Sequence, residues 1–291
     1  MKIKRVFVLV NPTNPQSPSL LPELYRKFNE SGIEWDIGLT QAEGSDHVLD
    51  RAVDFGADLV AVYGGDGTIA SVVGGLINRK LPLAILPGGT ANVLATELRI
   101  PRNFSRASSL ICHRPHHFKE IDVGEVNGKY FTLRVGIGIE ANAVDLTHRK
   151  MKKGFGPLAY ALSAMNAIVG TRRMEFHLKL DGKMVHTKGL SCIIANSGNL
   201  GVTKVGFSPT DLSDGKLDVF VVRSAHLNSL FAVVTHVVTK VNLSAIQHWR
   251  AADIEMETTP RQKIHYDGEI LGDDKIKAHL HHKALKVLVP A

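Results

Sequence analysis

The sequence predicts an α/β domain with a parallel sheet over residues 1–120 and a mostly β sandwich domain over residues 121–282, with the closing stretch 283–291 a candidate to rejoin the first domain. Three observations predict it. Residues 59–63, Leu-Val-Ala-Val-Tyr, are an apolar run too short for a globular helix and of the kind buried on both faces of a parallel sheet; it stops at Gly64-Gly65-Asp66-Gly67-Thr68. Residues 83–97 repeat that grammar, an apolar run followed by Pro87-Gly88-Gly89-Thr90 and a helix-like stretch opening near Asn92. Past residue 120, Asn127-Gly128 and Asp181-Gly182 stand between short alternating runs, which is a hairpin signal.

Taken in order, residues 5–11 read as the first strand, ending in Asn11-Pro12. Residues 20–32, LLPELYRKFNESG, have helical spacing, and Gly32 stops them. Residues 33–39 make a second strand ending at Thr40, and Ser45 caps a helix to about Phe55 that returns the chain to the strand at Leu59. A helix is expected to open at Thr68 after the first glycine loop, and residues 103–113 to finish a helix after the second. Strand, helix, strand, helix, strand is doubly wound grammar. From Ile121 the pattern turns to strands, interrupted by a helix over 157–170 and a core-packing helix over 226–248, where Leu227, Leu230, Phe231, Val234, Val238 and Val241 recur at three- and four-residue steps. The chain closes in strand-like pieces: IEMETT, KIHYDGEIL, KAHLHH and ALKVLVP.

A chain of 291 residues, 44% hydrophobic and 22% charged, can bury a core without disulfides or metal staples. The two cysteines, Cys112 and Cys192, have no metal-binding spacing and fit a reducing compartment. No run approaches the about 18 apolar residues of a membrane span, and the N-terminus reads as a strand rather than a signal peptide, so a cytoplasmic protein is expected. A net charge of +7 favours anionic partners, among them nucleotide phosphates and an acidic membrane surface. Nucleic acid is not expected: no RNP, zinc-finger or helix-turn-helix pattern is present, and aromatics are 6%. The histidines at 113, 116, 117, 279, 281 and 282 lack cysteine or HExxH companions and are expected to face solvent. Residues 136–141, GIGIEA, fit a GxGxxA pattern but sit among hairpins, which disfavours a dinucleotide site. No Walker A sequence occurs.

Adjacent glycines let a backbone approach a ligand closely, and a helix start presents unpaired amides at the positive end of its dipole, a combination suited to phosphate. Two such loops after neighbouring strands would meet at the carboxyl end of one sheet, where open α/β sheets bind ligands. Asp66 is the unusual member. A carboxylate there would repel phosphate unless it works through Mg²⁺ or holds loop amides in place.

GGDGT followed by PGGTAN resembles the diacylglycerol kinase catalytic-domain family of lipid kinases, and the first motif is shared more distantly with NAD kinases and phosphofructokinases. The resemblance runs from Val8 to nearly the last residue. It implies an NAD kinase/phosphofructokinase-like first domain, ATP and Mg²⁺ as cofactors, and transfer of the γ-phosphate to a lipid hydroxyl. It also implies that Thr40, Gly64, Gly65, Asp66, Gly67, Thr68, Ile69, Ala70, Gly89, Thr90 and Asn92 hold the nucleotide, with Asp66 assisting its Mg²⁺. Glu269, in Tyr266-Asp267-Gly268-Glu269, matches the family's proposed general base. Asp211, Asp214 and the carbonyl of Lys216 supply hard oxygens at close spacing, and the resemblance raises them from an Asp-Gly turn to a candidate Mg²⁺ site. Asp122 matches a further family position. Two departures stand out: Thr13-Asn14-Pro15 replaces a loop where the family often has serine and glycine, and Val93 stands where many diacylglycerol kinases have aspartate. The implied partners are a lipid substrate and a transient membrane surface, placing the protein peripherally at the membrane, with a homodimer left open. An NAD kinase relative and a non-catalytic lipid- or nucleotide-binding relative are the alternatives.

Overall fold

The computed structural model describes residues 3–14, 17–40, 46–138, 173–197, 211–223, 246–267, 269–272 and 275–291, with backbone alone at 17–19 and 269. The chain divides into two compact units, Met1–Val123 with His281–Ala291, and Gly124–Leu280.

The first unit alternates β1 (Arg5–Val10), α1 (Ser17–Glu30), β2 (Glu34–Leu39), α2 (Asp46–Asp54), β3 (Leu59–Gly64), α3 (Asp66–Arg79) and β4 (Leu83–Pro87), then adds α4 (Val93–Glu97) and α5 (Phe104–Cys112). The strands run parallel in the order β2-β1-β3-β4. Every residue of β3 is buried, as its unbroken apolar run requires of a strand covered on both faces. The order reverses between β1 and β3, and the loops leaving β1, β3 and β4 open beside one another at the carboxyl edge. Arg79 ties α3 to Asp46 and Asp50 of α2 at 2.9 and 2.6 Å. Lys27 of α1 ties down α5 by donating to the hydroxyls of Ser105, Ser108 and Ser109 at 2.9, 3.1 and 2.8 Å.

Beyond α5 come β5 (His117–Val126), β6 (Lys129–Phe131), β7 (Arg134–Gly138), β8 (Met174–Leu180), β9 (Lys183–Gly189), β10 (Ser191–Ala195), β11 (Leu217–Val222), β12 (Ile246–Ala251), β13 (Asp253–Thr259), β14 (Ile264–Tyr266), β15 (Glu269–Gly272) and β16 (Ile276–Val289). In the second unit β9, β8, β13 and the start of β16 pair antiparallel, and a separate sheet runs β12-β11-β10-β7-β14-β15. Phe176, Leu178 and Met256 from one sheet and Ile194, Val219 and Val221 from the other share one buried cluster, the packing of a sandwich. The α/β unit followed by a mostly β unit is the expected fold class.

Both dipeptide turns form. Asn127-Gly128 has φ of +46° and +79°, and Asp181-Gly182 has +46° and +86°, the double positive φ of a type I′ hairpin turn.

Several local expectations are corrected. The helix after the first glycine loop begins at Asp66 rather than Thr68, with Gly65 as its N-cap. Residues 103–113 do not finish the helix after the second loop; α5 is separate, and Asn103 caps it by accepting from the Arg106 amide at 3.1 Å. Residues 246–248, assigned by spacing to a helix, belong to β12, where pairing with β11 in register Val222↔Ile246 to Leu217↔Ala251 overrides the local pattern. The pieces KAHLHH and ALKVLVP are one strand, β16, bent at Lys283 (φ +49°). Gly136 and Gly138 lie in β7 between antiparallel partners, so this strand is not part of a βαβ unit. His279 and His282 are exposed, as expected, and each also bonds a carboxylate: His282 the buried Asp122 at 2.8 Å and His279 Asp253 at 2.7 Å. Ser45, the helix at 157–170, residues 226–245 and Glu140-Ala141 lie outside the described residues.

Asp181 does more than turn the chain. Its Oδ1 accepts from the amides of Ala252 and Asp253, both at 2.9 Å, and its Oδ2 from Lys216 Nζ at 2.6 Å. The Asp253 amide first, with Lys216 behind it, lowers the carboxyl pKa to about 2. A carboxyl depressed on folding stabilises above its unfolded pKa, and that stability is lost as pH falls toward the folded value. Asp181→Asn, which still suits the positive φ, is expected to lower the melting temperature by about 2–3 °C at pH 7. The gap between variant and wild type should close as melts are repeated from pH 4 down to pH 2.

Candidate functional site

The two glycine loops touch through their glycines. A Cβ on Gly89 would lie 2.5 Å from the Gly65 Cα, and one on Gly65 would lie 3.1 Å from the Gly89 Cα. The Gly88 amide donates to the Gly64 carbonyl at 2.9 Å, so the loops are also joined through their backbones. The loop after β1 locks onto both: Asn11 Nδ2 donates to Thr68 Oγ1 at 3.0 Å, and Asn14 Nδ2 to the Gly88 carbonyl at 2.7 Å. Asn14 also bonds the Tyr63 side chain, whose pKa burial pushes up. The departure at Thr13-Asn14-Pro15 therefore supplies a donor to the second loop.

Asp66 holds amides. Its Oδ2 accepts from the Val93 amide at 3.0 Å and its Oδ1 from the Leu94 amide at 3.1 Å, so the carboxylate of the first motif caps the helix that follows the second. Of its two sequence readings, metal partner or clamp on loop amides, these bonds carry the clamp. Asn92, buried and at φ +49°, holds Gly89 from both sides: its Oδ1 accepts from the Gly89 amide at 2.9 Å and its Nδ2 donates to the Gly89 carbonyl at 2.7 Å. Arg102 Nη2 donates to the carbonyls of Thr90 and Ala91 at 3.1 and 2.6 Å. The first hydrogen bond of α3 runs from the Ile69 amide to the Gly65 carbonyl, so the amides of Asp66, Gly67 and Thr68 precede the helical ladder and remain for an anion. Gly67 and Thr90 are exposed at this edge. A backbone cradle with two β-carbons missing, beside open amides, fits the phosphates of a nucleotide.

In the second unit the DGE strand is anchored by its aspartate. Asp267 accepts from the amides of Thr132, Leu133 and Arg134 at 2.7, 3.0 and 2.9 Å and from Thr132 Oγ1 at 3.2 Å, while its own amide donates to the Arg134 carbonyl at 3.0 Å. Burial pushes its carboxyl pKa up, against the pull of those donors. Asp267 thereby fixes the end of β14; Gly268 and the side chain of Glu269 lie outside the described residues.

The carboxylates of the acidic loop have protein partners. Asp214 Oδ2 pairs with the Arg250 guanidinium and its Oδ1 accepts from the Lys216 amide at 3.0 Å, while Asp211 Oδ1 accepts from Ser213 Oγ at 2.8 Å. Arg250 already balances the charge a metal would meet. Among the described residues no group of three or more His, Cys, Asp or Glu side chains could hold a metal ion. Of the expected Asp211, Asp214 and Lys216 set, Asp214 is engaged by the Arg250 guanidinium and the Lys216 amide as these side chains stand.

Residues 5–126 match the model of the diacylglycerol kinase catalytic domain, and residues 133–289 match the YegS C-terminal NAD kinase beta sandwich-like domain. The chain belongs to the diacylglycerol kinase catalytic-domain family. Among similar proteins, a diacylglycerol kinase of Bacillus subtilis is 28% identical over 284 residues, covering 93% of this chain and 91% of the relative. A diacylglycerol kinase of Staphylococcus carnosus is 23% identical over 276 residues, covering 92% and 90%. The crystal structure of a diacylglycerol kinase from Bacillus anthracis matches with a TM-score of 0.80 at 25% identity, over 100% of this chain and 98% of that one.

Within this kinase family's frame, the structure brings Gly64, Gly65, Asp66, Gly67, Thr68, Gly89, Thr90 and Asn92 to one edge of the first unit. Ile69 is there by its backbone only, because its side chain is in the core. Thr40 ends β2 one strand further out, buried, its amide on the Val10 carbonyl at 2.9 Å. Asn11, Asn14 and Arg102 were not predicted for this edge, nor Asp267 for the anchoring of the DGE strand in the second unit. For Asn11 the signal was a polar residue ending a strand beside Pro12; for Asp267 it was a turn aspartate before glycine; Asn14 and Arg102 carry no local signal.

A methyl group between the loops is the simplest test of the cradle. Gly89→Ala is expected to spread the loops and weaken binding of Mg-ATP at least tenfold by calorimetry, with a stability loss of about 1–3 kcal/mol from overpacking against backbone.

Proposed function

We propose that this protein is an ATP-dependent lipid kinase that moves the γ-phosphoryl group of ATP to the hydroxyl of a lipid. The observation that carries the reading is the Gly65–Gly89 contact, which presents two backbone loops at one sheet edge in a chain of the diacylglycerol kinase family. Phosphoryl transfer asks for positioning, charge neutralisation and a proton acceptor. Gly64–Ala70 and Gly89–Asn92 would grip the phosphates through amides and the hydroxyls of Thr68 and Thr90, and Asp66 would keep the two loops in register rather than touch phosphate. Mg²⁺ would arrive on the nucleotide's own oxygens with most of its water, which suits a site without a protein-built cage. Glu269 would take the proton from the lipid hydroxyl as the phosphoryl group leaves ATP, and Asp267 would hold the strand that carries it.

A lipid acceptor requires contact with a membrane surface, for which the net charge of +7 is favourable. No helix among the described residues is long and apolar enough to cross a membrane, which is compatible with transient, peripheral docking from the cytoplasm. Val93 supplies only its amide to Asp66, so the loop clamp does not need the family's aspartate at that position. The absent carboxylate leaves an acceptor other than diacylglycerol within the proposal. The second domain's NAD kinase-like description favours one competing acceptor, NAD.

The experiment is transfer of labelled γ-phosphate from Mg-ATP to a lipid panel in mixed micelles, with NAD included. Label in a lipid is expected, and Glu269→Gln should lower kcat by about 10²–10⁴-fold, the span of general-base contributions. Label in NAD alone would replace the reading with the NAD kinase one. ATP binding without transfer to any acceptor would favour the non-catalytic relative.

A further inference from the structure

We propose that Arg102 is a phosphate-binding residue of the nucleotide site, supplying the positive charge its loops lack; this rests on the kinase reading above. The three loops at the sheet edge, Asn11–Asn14, Gly64–Ala70 and Pro87–Asn92, contain no lysine, arginine or histidine, and the one charged side chain among them is the Asp66 carboxylate. Amides alone would face a polyanionic triphosphate beside that carboxylate. Arg102 is exposed, and its Nη2 is fixed on the second loop by the carbonyls of Thr90 and Ala91. A guanidinium carries five N–H donors in a rigid fork, so these two bonds orient the group while Nε and Nη1 make no further hydrogen bond or ion pair among the described residues. The backbone there is held on both sides. Pro101 restricts the chain before it, and Asn103 caps α5 after it, with α5 pinned in turn by Lys27.

A neutral donor could staple the loop equally well. What arginine adds is charge beside the exposed Thr90, with planar donors matched to phosphate oxygens. The consequence is discrimination by phosphate number: Arg102 should favour ATP over AMP, and its contribution should fall as salt rises.

The test is calorimetric titration of the full chain and of Arg102→Gln and Arg102→Lys with Mg-ATP, AMP and inorganic tripolyphosphate at two ionic strengths, with thermal midpoints as a control on folding. Gln retains one loop hydrogen bond without the charge; Lys retains the charge without the fork. The expected result is about a tenfold loss for ATP and tripolyphosphate in Arg102→Gln, with AMP nearly unchanged and Arg102→Lys in between. Unchanged ATP binding in Arg102→Gln would overturn the proposal. An equal loss for ATP and AMP would also overturn it, assigning Arg102 to loop support alone. Wild-type protein that binds none of the three would overturn the nucleotide site itself, and this proposal with it.

Discussion

The glycine-loop edge of the first unit depends on an interaction made possible by two missing β-carbons. Gly65 and Gly89 come from different loops on neighbouring strands, and no pair of larger residues could bring those backbones so close. The bonds around them follow from that approach. Gly88 can reach the Gly64 carbonyl, Asp66 can reach past its own helix to the amides of Val93 and Leu94, and Asn92 can fold back onto Gly89. Strand packing sets the edge, and the glycine contact converts it into a cradle.

Both units use a carboxylate in the same way. Asp66 in the first and Asp267 in the second each bind consecutive backbone amides contributed by another segment. A hydrogen-bonded carboxylate is a compact means of fixing irregular backbone, because one side chain satisfies two or three donors that would otherwise be left unpaired. Mobile side chains could not hold such loops to the tolerance that phosphoryl transfer requires. Asp214 follows the pattern partly, with one oxygen on the Lys216 amide and the other on Arg250.

Much of this was legible in the sequence where the signal was local. The run Leu59–Tyr63 against Gly64 specified a strand and its end, and Asn127-Gly128 and Asp181-Gly182 specified turns, because positive φ is a property of the residues themselves. The doubling of the glycine motif specified that two loops would meet. What the sequence did not disclose depends on partners distant along the chain: Asp66 to Val93, Asn14 to Gly88, Asp267 to Thr132. A carboxylate beside a phosphate loop reads equally as metal ligand or amide clamp until its neighbours are placed. For the acidic loop, the spacing of Asp211 and Asp214 gave no sign that Arg250, on β12, would pair with Asp214. The strand at 246–248 was obscured because cross-strand pairing with β11 outweighs three residues' worth of helical periodicity.

The bend in β16 has a bearing on the order in which this protein can be made. Residues 281–291 belong to the first compact unit, where Val287 pairs with Leu83 of β4, yet they follow the whole of the second unit along the chain. A ribosome releasing the chain from its N-terminus delivers the glycine loops early but withholds the strand that pairs with β4 until the β-rich unit has emerged. Until then the edge of β4 stands open, with apolar surface and unpaired backbone groups exposed to other nascent chains. The glycine-loop unit therefore cannot be completed as an independent early module, and its closure waits on residues that follow the second unit along the chain.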